Sequence, residues 1–276
     1  MVSLCSSGRW RAEREHSVYK AEDGAQQGSA LAATFAREGF AVIPGFWTQA
    51  QCAAVEAEIR QALDPVLGPA EFEADVGYPG APPDRGAPGG DTPRRLLFAY
   101  SRFPALRGLA VSPLLAEYLR TLLATDDVRL SQCHHNCVMT KAPGFSSATL
   151  WHQDVRYWSY TRPALISAWL ALGPETAENG ALQVIPGTHR EDFAASRLDA
   201  RKFLIPDQPA NAALIDSAVT VELAAGDLLL FHCRLFHAAG RNASQSIKLS
   251  PVFTYRSADN LPLSGTRSAV YPDIAL

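Results

Sequence analysis

From residue 128 onward the chain runs through short β-type segments separated by turns, and this texture restricts its fold more than any other feature. The segments cover residues 128–140, 164–172, 181–185, 218–223, 227–232 and 246–255, with a further strand through 151–154. They are rich in Val, Ile, Leu, Phe and Trp, and the stretches between them carry Gly, Pro, Asn and Asp. A parallel sheet needs a helical crossover between successive strands, and no helical periodicity interrupts this succession. The expectation is a mainly β fold with flanking α, an antiparallel sandwich or barrel.

Ahead of the strands the periodicity is helical. Leu31 and Phe35 on an Ala-rich background predict a helix over 29–38, stopped by Gly39 before the β-rich Phe40-Ala41-Val42-Ile43. Thr48 is a good N-cap for a second helix carrying Ala53, Val55, Ile59 and Leu63 toward Pro65. Helices are also expected over 103–109 and 112–124, the latter with an apolar face of Leu114, Leu115, Tyr118, Leu119 and Leu122. Residues 66–93 are dense in Gly and Pro and should not hold regular structure for long. A connection of that length reads either as a lid over a site or as a tolerated insertion. Residues 1–28 are polar and without periodicity, as a mobile leader would be, which leaves residues 29–276 as a single domain.

Composition excludes more than it selects. A net charge of −3 gives no footprint for nucleic acid, and no run of like charge suggests a membrane-surface patch. The five cysteines are scattered without CxxC spacing, and no secretory signal precedes the fold, so reduced thiols and a cytoplasmic protein are expected. No apolar run is long enough to span a bilayer. The expected partner is a small-molecule substrate, and the chain is expected to be a monomer or homodimer.

The chemistry concentrates in Trp151-His152-Gln153-Asp154 and in Phe236-His237-Ala238-Ala239-Gly240. Residues i and i+2 of an extended strand share a face, so His152 and Asp154 can offer a nitrogen and an oxygen to one point. A histidine from a distant strand would complete one face of an octahedron. Two histidines and one carboxylate leave three coordination positions open, as in non-haem Fe(II) oxygenases, where a keto acid and dioxygen can bind.

Five ordered blocks carry a resemblance. They are Trp151–Asp154, Ile166–Leu172, Glu178-Asn179-Gly180-Ala181-Leu182-Gln183-Val184-Ile185-Pro186-Gly187-Thr188-His189, Gly226–Phe231 and His237–Ser244. Together they resemble the phytanoyl-CoA dioxygenase family, and the similarity spans about residues 30–255. The resemblance implies a double-stranded β-helix (jelly roll, cupin-like) with the N-terminal helices packed outside. It implies Fe(II), 2-oxoglutarate as co-substrate, and O2. It makes His152, Asp154 and His237 the iron ligands; His232 is the local competitor for the third place, and His189 belongs to a structural turn. Retention of Asp154 argues against a halogenase, in which loss of the carboxylate makes room for halide.

The same resemblance places a cation for the far carboxylate of 2-oxoglutarate about eleven residues after the distal histidine. The family arginine is Lys248 here, with Ser250 on the same strand face and Arg256 as a fallback. Gln132, Asn136, Met139 and Lys141 fall in the region resembling the co-substrate wall, and Trp169 matches a pocket-lining tryptophan. His134 and His135 alternate, so at most one should face inward. Substrate contacts are expected from Arg156, Tyr157, Trp158 and Arg94, with Arg95, Tyr160, Arg162 and Arg234 as further candidates. A cationic and aromatic mouth suits a carboxylate-bearing or otherwise anionic metabolite, hydroxylated with release of succinate and CO2. The rival readings are a cupin-like metal enzyme without 2-oxoglutarate, such as an isomerase, and a catalytically silent jelly-roll binding protein.

Overall fold

The structure, a computed structural model, describes residues 2–4, 9–12 and 24–276, with side chains from residue 28 onward. Strands and helices are numbered in chain order. One sheet is ordered β3 (Phe40–Ile43), β11 (Leu228–His232), β8 (Leu165–Leu170), β13 (Lys248–Ser257), β6 (Val128–Lys141), β5 (Pro93–Leu97) and β4 (Ala70–Phe72), with β14 (Ile274–Ala275) also on β6. The other is ordered β1 (Val2–Leu4), β2 (Arg9–Ala12), β10 (Val219–Val221), β9 (Leu182–Val184), β12 (His237–Ala239) and β7 (Thr149–His152). Among the described strands the pairings are antiparallel apart from β10 with β2, which is parallel. The leader expected over 1–28 falls largely outside the described residues.

Side chains from both sheets meet in an inner core, with Phe40, Trp169, Leu229, Phe231 and Val252 from one and Leu182, Val184, Val219 and Val221 from the other. The opposite face of the larger sheet carries the helices. Its Leu130, Val138, Ile166, Ala168, Leu170, Leu228, Leu230 and Phe253 pack with Val55, Ile59, Leu106, Leu115 and Leu119 of the helices. β8 and β13 are therefore buried along their whole length. This explains why Leu228-Leu229-Leu230-Phe231 shows no polar alternation, since both faces of that strand are covered.

The helices are α1 (Gly24–Glu38), α2 (Gln49–Gln61), α3 (Ala99–Arg102), α4 (Pro104–Ala110), α5 (Pro113–Leu123) and α6 (Pro209–Asp216). Thr48 caps α2 with a full capping box, accepting from the Gln51 N–H while Gln51 Oε1 accepts from its own N–H. Ser112 caps α5 by accepting from Leu115 N. The sequence expectation needs two corrections here. Leu114 is 47% exposed, because the buried stripe of α5 is Leu115 and Leu119 with Tyr118 and Leu122 at its edge. α6 also stands between β9 and β10, where strands alone were expected; its apolar residues show little helical periodicity, and it is anchored instead by Asn211, which bonds Arg197 and the carbonyl of Ile205.

Segment 66–93 is more regular than its Gly and Pro content suggests. It contains β4 and a 3-10 turn over Glu73–Asp75, and Arg85 is paired with Asp75 at 2.8 Å. Pro79 O accepts from Ala148 N at 2.9 Å, which ties the segment to the body of the fold.

Gly226 illustrates how tightly the turns are built. It has φ +90°, and a Cβ there would lie 2.0 Å from the carbonyl oxygen of Trp47. We expect Gly226→Ala to lower stability by at least the ~1–3 kcal/mol typical of a strained backbone. A urea midpoint equal to wild type would contradict this packing. The described cysteines, Cys52, Cys133, Cys137 and Cys233, are buried and unbridged. No helix among the described residues is long and apolar enough to cross a membrane.

Candidate active site

β7 and β12 lie side by side in the smaller sheet, and His152 is the direct register partner of His237. Gln153 continues the extended backbone (φ −108°, ψ 135°), so Asp154, opening a short 3-10 turn, returns to the face of His152. The ligand atoms of His152, Asp154 and His237 all lie within 4.8 Å of one another, and all three residues are buried. Asp154 Oδ1 is 3.8 Å from His152 Nε2 and 3.6 Å from His237 Nε2. His232 ends β11 in the other sheet, where its ring lies 5.4 Å from that of His189, and it takes no part in this cluster.

Each histidine is held in one tautomer. His152 Nδ1 lies 2.8 Å from Leu150 O and His237 Nδ1 lies 3.0 Å from Leu235 O. A carbonyl only accepts, so both Nδ1 atoms carry the proton and both Nε2 lone pairs face Asp154. Burial, and then the neighbouring His237, pushes His152 well below the usual imidazole value, which keeps it neutral as a ligand must be. On the far side of the carboxylate, Asp154 Oδ2 lies 3.5 Å from Ser167 Oγ and 3.6 Å from His135 Nδ1. Two imidazoles and one carboxylate, oriented from behind, fit a divalent iron.

The cluster opens into a cavity of about 330 Å³ between the sheets. At one end β6 and β13 set Lys141 directly opposite Lys248. Like charges so placed repel. Lys248 Nζ is offset by Glu175 Oε2 at 3.0 Å, and Ser250 Oγ lies 3.3 Å from the same ammonium. Glu175 Oε1 accepts from Trp169 Nε1 at 2.9 Å and Ser250 Oγ at 2.6 Å. Lys141 Nζ, in contrast, donates to the carbonyls of Ser147 and Gly240 at 2.9 and 2.6 Å. Burial, then the charges of Lys248 and Arg94, brings the Lys141 ammonium down to about 7.

The mouth is lined by Tyr78, Arg94, Arg156, Tyr157, Trp158 and Arg201, so segment 66–93 supplies part of the wall. Arg156 lies over the Phe203 ring at 3.8 Å and donates to Tyr78 OH and Arg201 O. Arg201 donates to Val76 O. Arg94 reaches Thr149 Oγ1 at 3.0 Å and lies 3.7 Å from Glu71.

Met139, Lys141, Trp169, Lys248, Arg94, Arg156, Tyr157 and Trp158 thus line one cavity with the metal cluster, and Ser250 stands behind Lys248. Gln132 and Asn136 do not join them. Gln132 donates to Pro272 O, and Asn136 turns to the helical face, where Oδ1 accepts from Tyr100 N. Asn136 is three positions from Met139, and an odd spacing puts the two on opposite faces of a strand. Arg256 is no fallback anchor, since it is buried in an ion pair with Asp273. Arg162 pairs with Asp259, Arg234 with Asp192, and Tyr160 bonds Ser131.

His134 and His135 both line the cavity, against the alternation rule. The β6–β13 register jumps from Asn136↔Phe253 to Ser131↔Thr254, leaving residues 132–135 without partners in β13. The extra residues bend the strand and turn His134 toward Trp158, on which it stacks at 4.8 Å. Glu175 and Ser167 escaped the sequence reading, which named His135 without its approach to Asp154. Glu175 lies in the turn after β8, where parity gives no cue, and the contacts of the other two are recognisable only once Asp154 is placed.

Comparison with known proteins agrees with this arrangement. The family model for phytanoyl-CoA dioxygenase (PhyH) matches residues 35–250. The ectoine dioxygenase of Sphingopyxis alaskensis is 26% identical over 246 residues, covering 83% of this chain and 76% of that protein. The phytanoyl-CoA dioxygenase of Arabidopsis thaliana is 31% identical over 105 residues, covering 38% and 37% of the two chains. Among solved structures, the non-haem α-ketoglutarate-dependent epimerase SnoN from nogalamycin biosynthesis superposes with a TM-score of 0.68 at 23% identity, covering 85% of this chain and 84% of that one. EctD from S. alaskensis, solved with 2-oxoglutarate and 5-hydroxyectoine, gives 0.67 at 23% identity over 90% and 82%. The sheet order, the His-Asp-His cluster and the span of the family match lead to one conclusion: the chain belongs to the phytanoyl-CoA dioxygenase (PhyH) family.

Proposed function

We propose that this Fe(II)- and 2-oxoglutarate-dependent oxygenase hydroxylates a small anionic metabolite. The observation that carries the reading is the buried His152, Asp154 and His237 cluster in a cavity that Lys141, Lys248, Arg94, Arg156 and Arg201 also line. When bound, iron and 2-oxoglutarate supply the oxidising power, with dioxygen consumed and succinate and carbon dioxide released.

The chain's own residues divide the remaining work. His152, Asp154 and His237 would hold the metal, and the Leu150 and Leu235 carbonyls orient the rings. Lys248, backed by Ser250, and Lys141 would offer charge to the far carboxylate of the co-substrate, with Trp169 and Met139 lining the same cavity. Arg156 and Arg201 donate to neutral acceptors, so their charge is available to an anionic substrate group. Tyr157, Trp158 and Arg94 complete that mouth and exclude water around the reacting carbon.

The direct test is a screen of anionic metabolites and their neutral isosteres with Fe(II) and ascorbate, reading succinate and the mass of the product. The reading predicts turnover by acids, a gain of one oxygen atom, and a KM raised about tenfold or more by Arg156→Gln, in line with loss of a charge-assisted hydrogen bond. Preferred turnover of the neutral isosteres would count against it.

Lys141 gives a second test. With its pKa near 7 in the free site, the ammonium is mostly neutral at pH 8. A carboxylate placed beside it favours the charged form and raises that pKa. Binding of 2-oxoglutarate at pH 8 should therefore take up as much as one proton. The uptake should fade below pH 7, where Lys141 is already charged, and affinity should fall as pH rises. Calorimetry in two buffers of different ionisation enthalpy measures this, and Lys141→Met should remove it. Equal heats at pH 8 in both buffers would contradict this proton uptake.

A further inference from the structure

Lys248 is the cation that the co-substrate's far carboxylate must find, yet it already has a carboxylate of its own. Glu175 is 1% exposed and sits 3.0 Å from Lys248 Nζ, inside the fold rather than at its surface. Its other oxygen is fixed by Trp169 Nε1 at 2.9 Å and Ser250 Oγ at 2.6 Å. Ser250 spends its proton on Glu175 and so accepts from Lys248 at 3.3 Å. An ammonium has three N–H donors, of which Glu175 takes one and Ser250 another, leaving one for a ligand. A guanidinium at this position would have offered two parallel donors to the ligand.

Resting on the 2-oxoglutarate reading above, we propose that Glu175 is a positioning residue that holds Lys248 against Trp169 and Ser250 and competes with the co-substrate's far carboxylate for its charge. Two carboxylates then share one buried ammonium, with Lys141 across the strand pair as the nearest further cation. Glu175 sets how tightly a 2-oxo acid with a second carboxylate binds, and has no hold over a 2-oxo acid that lacks one. No metal ligand touches Glu175, so the effect is confined to the far end of the co-substrate.

The experiment is anaerobic calorimetry on the Fe(II)-loaded protein with 2-oxoglutarate and with pyruvate, which shares the keto-acid head and lacks the far carboxylate. Glu175→Gln keeps the side chain's shape and an acceptor for Trp169 while removing the charge. It is expected to bind 2-oxoglutarate at least tenfold more tightly than wild type, with pyruvate affinity unchanged. On a Lys248→Gln background the same substitution should change neither. Should Glu175→Gln not fold, Glu175→Asp, which draws the carboxylate back from Lys248, should shift 2-oxoglutarate the same way by a smaller factor. Unchanged or weaker 2-oxoglutarate binding, or an equal gain for pyruvate, would overturn the role of Glu175 alone. Wild-type protein that binds neither keto acid would instead remove the co-substrate reading on which the proposal stands.

Discussion

Asp154→Ala should lose Fe(II) affinity by more than about 100-fold, beyond the 10–100-fold that loss of an outer partner of a metal ligand costs. Asp154 is the only anionic member of the cluster, and its Oδ1 lies within 3.8 Å of both histidine nitrogens. Without it, two neutral imidazoles face the ion and nothing offsets its charge. His152→Ala and His237→Ala should behave alike, because each removes one member of the three-residue cluster from a pair of adjacent strands. Ser167→Ala should be milder, since it touches only the outer oxygen of Asp154. Metal content after dialysis against Fe(II) measures all four, and full occupancy in Asp154→Ala would refute the ligand set. Succinate production should fall with occupancy.

Lys248→Met should destabilise the fold by about 3–5 kcal/mol, the range for removing one partner of a buried ion pair. Its side chain is 4% exposed and that of Glu175 1%, so the pair is held in a largely desolvated place. Trp169 and Ser250 would still donate to Glu175, but no cation would remain in contact with it. Adding Glu175→Gln removes the stranded charge and should recover most of the loss, which a double-mutant cycle in urea reads directly. Additive losses in the double variant would mean that the two residues act independently, contrary to their 3.0 Å contact.

The succession of short apolar segments separated by turn residues made the architecture legible. β8 and β11 lack polar alternation because both of their faces are covered, and the helices on the outer face were expected from the helical periodicity ahead of the strands. The pairing of His152 with Asp154 was legible for a local reason, the two-residue repeat of a strand that continues through Gln153, whereas His237 was named from its place in the family pattern. The errors along β6 share one cause, a break or a misuse of that repeat. Gln132 and Asn136 were grouped with Met139 across an odd spacing, and His134 joined His135 in the cavity because four residues bulge from β6. Lys248 could be named as a cation from its place in the family pattern. Its partner could not, since Glu175 reaches it from 73 residues earlier in the chain. Long-range charge pairing follows from the path of the chain, which a linear pattern does not encode.

The central claim is that His152, Asp154 and His237 support iron-dependent oxidation coupled to 2-oxoglutarate. Succinate release measures it most directly, in wild type and Asp154→Ala, with and without Fe(II), over a panel of anionic metabolites. The account predicts succinate formed in step with an oxygenated product in the wild-type enzyme, dependent on Fe(II) and lost in Asp154→Ala. Product without succinate, or succinate release that survives in Asp154→Ala, would contradict it.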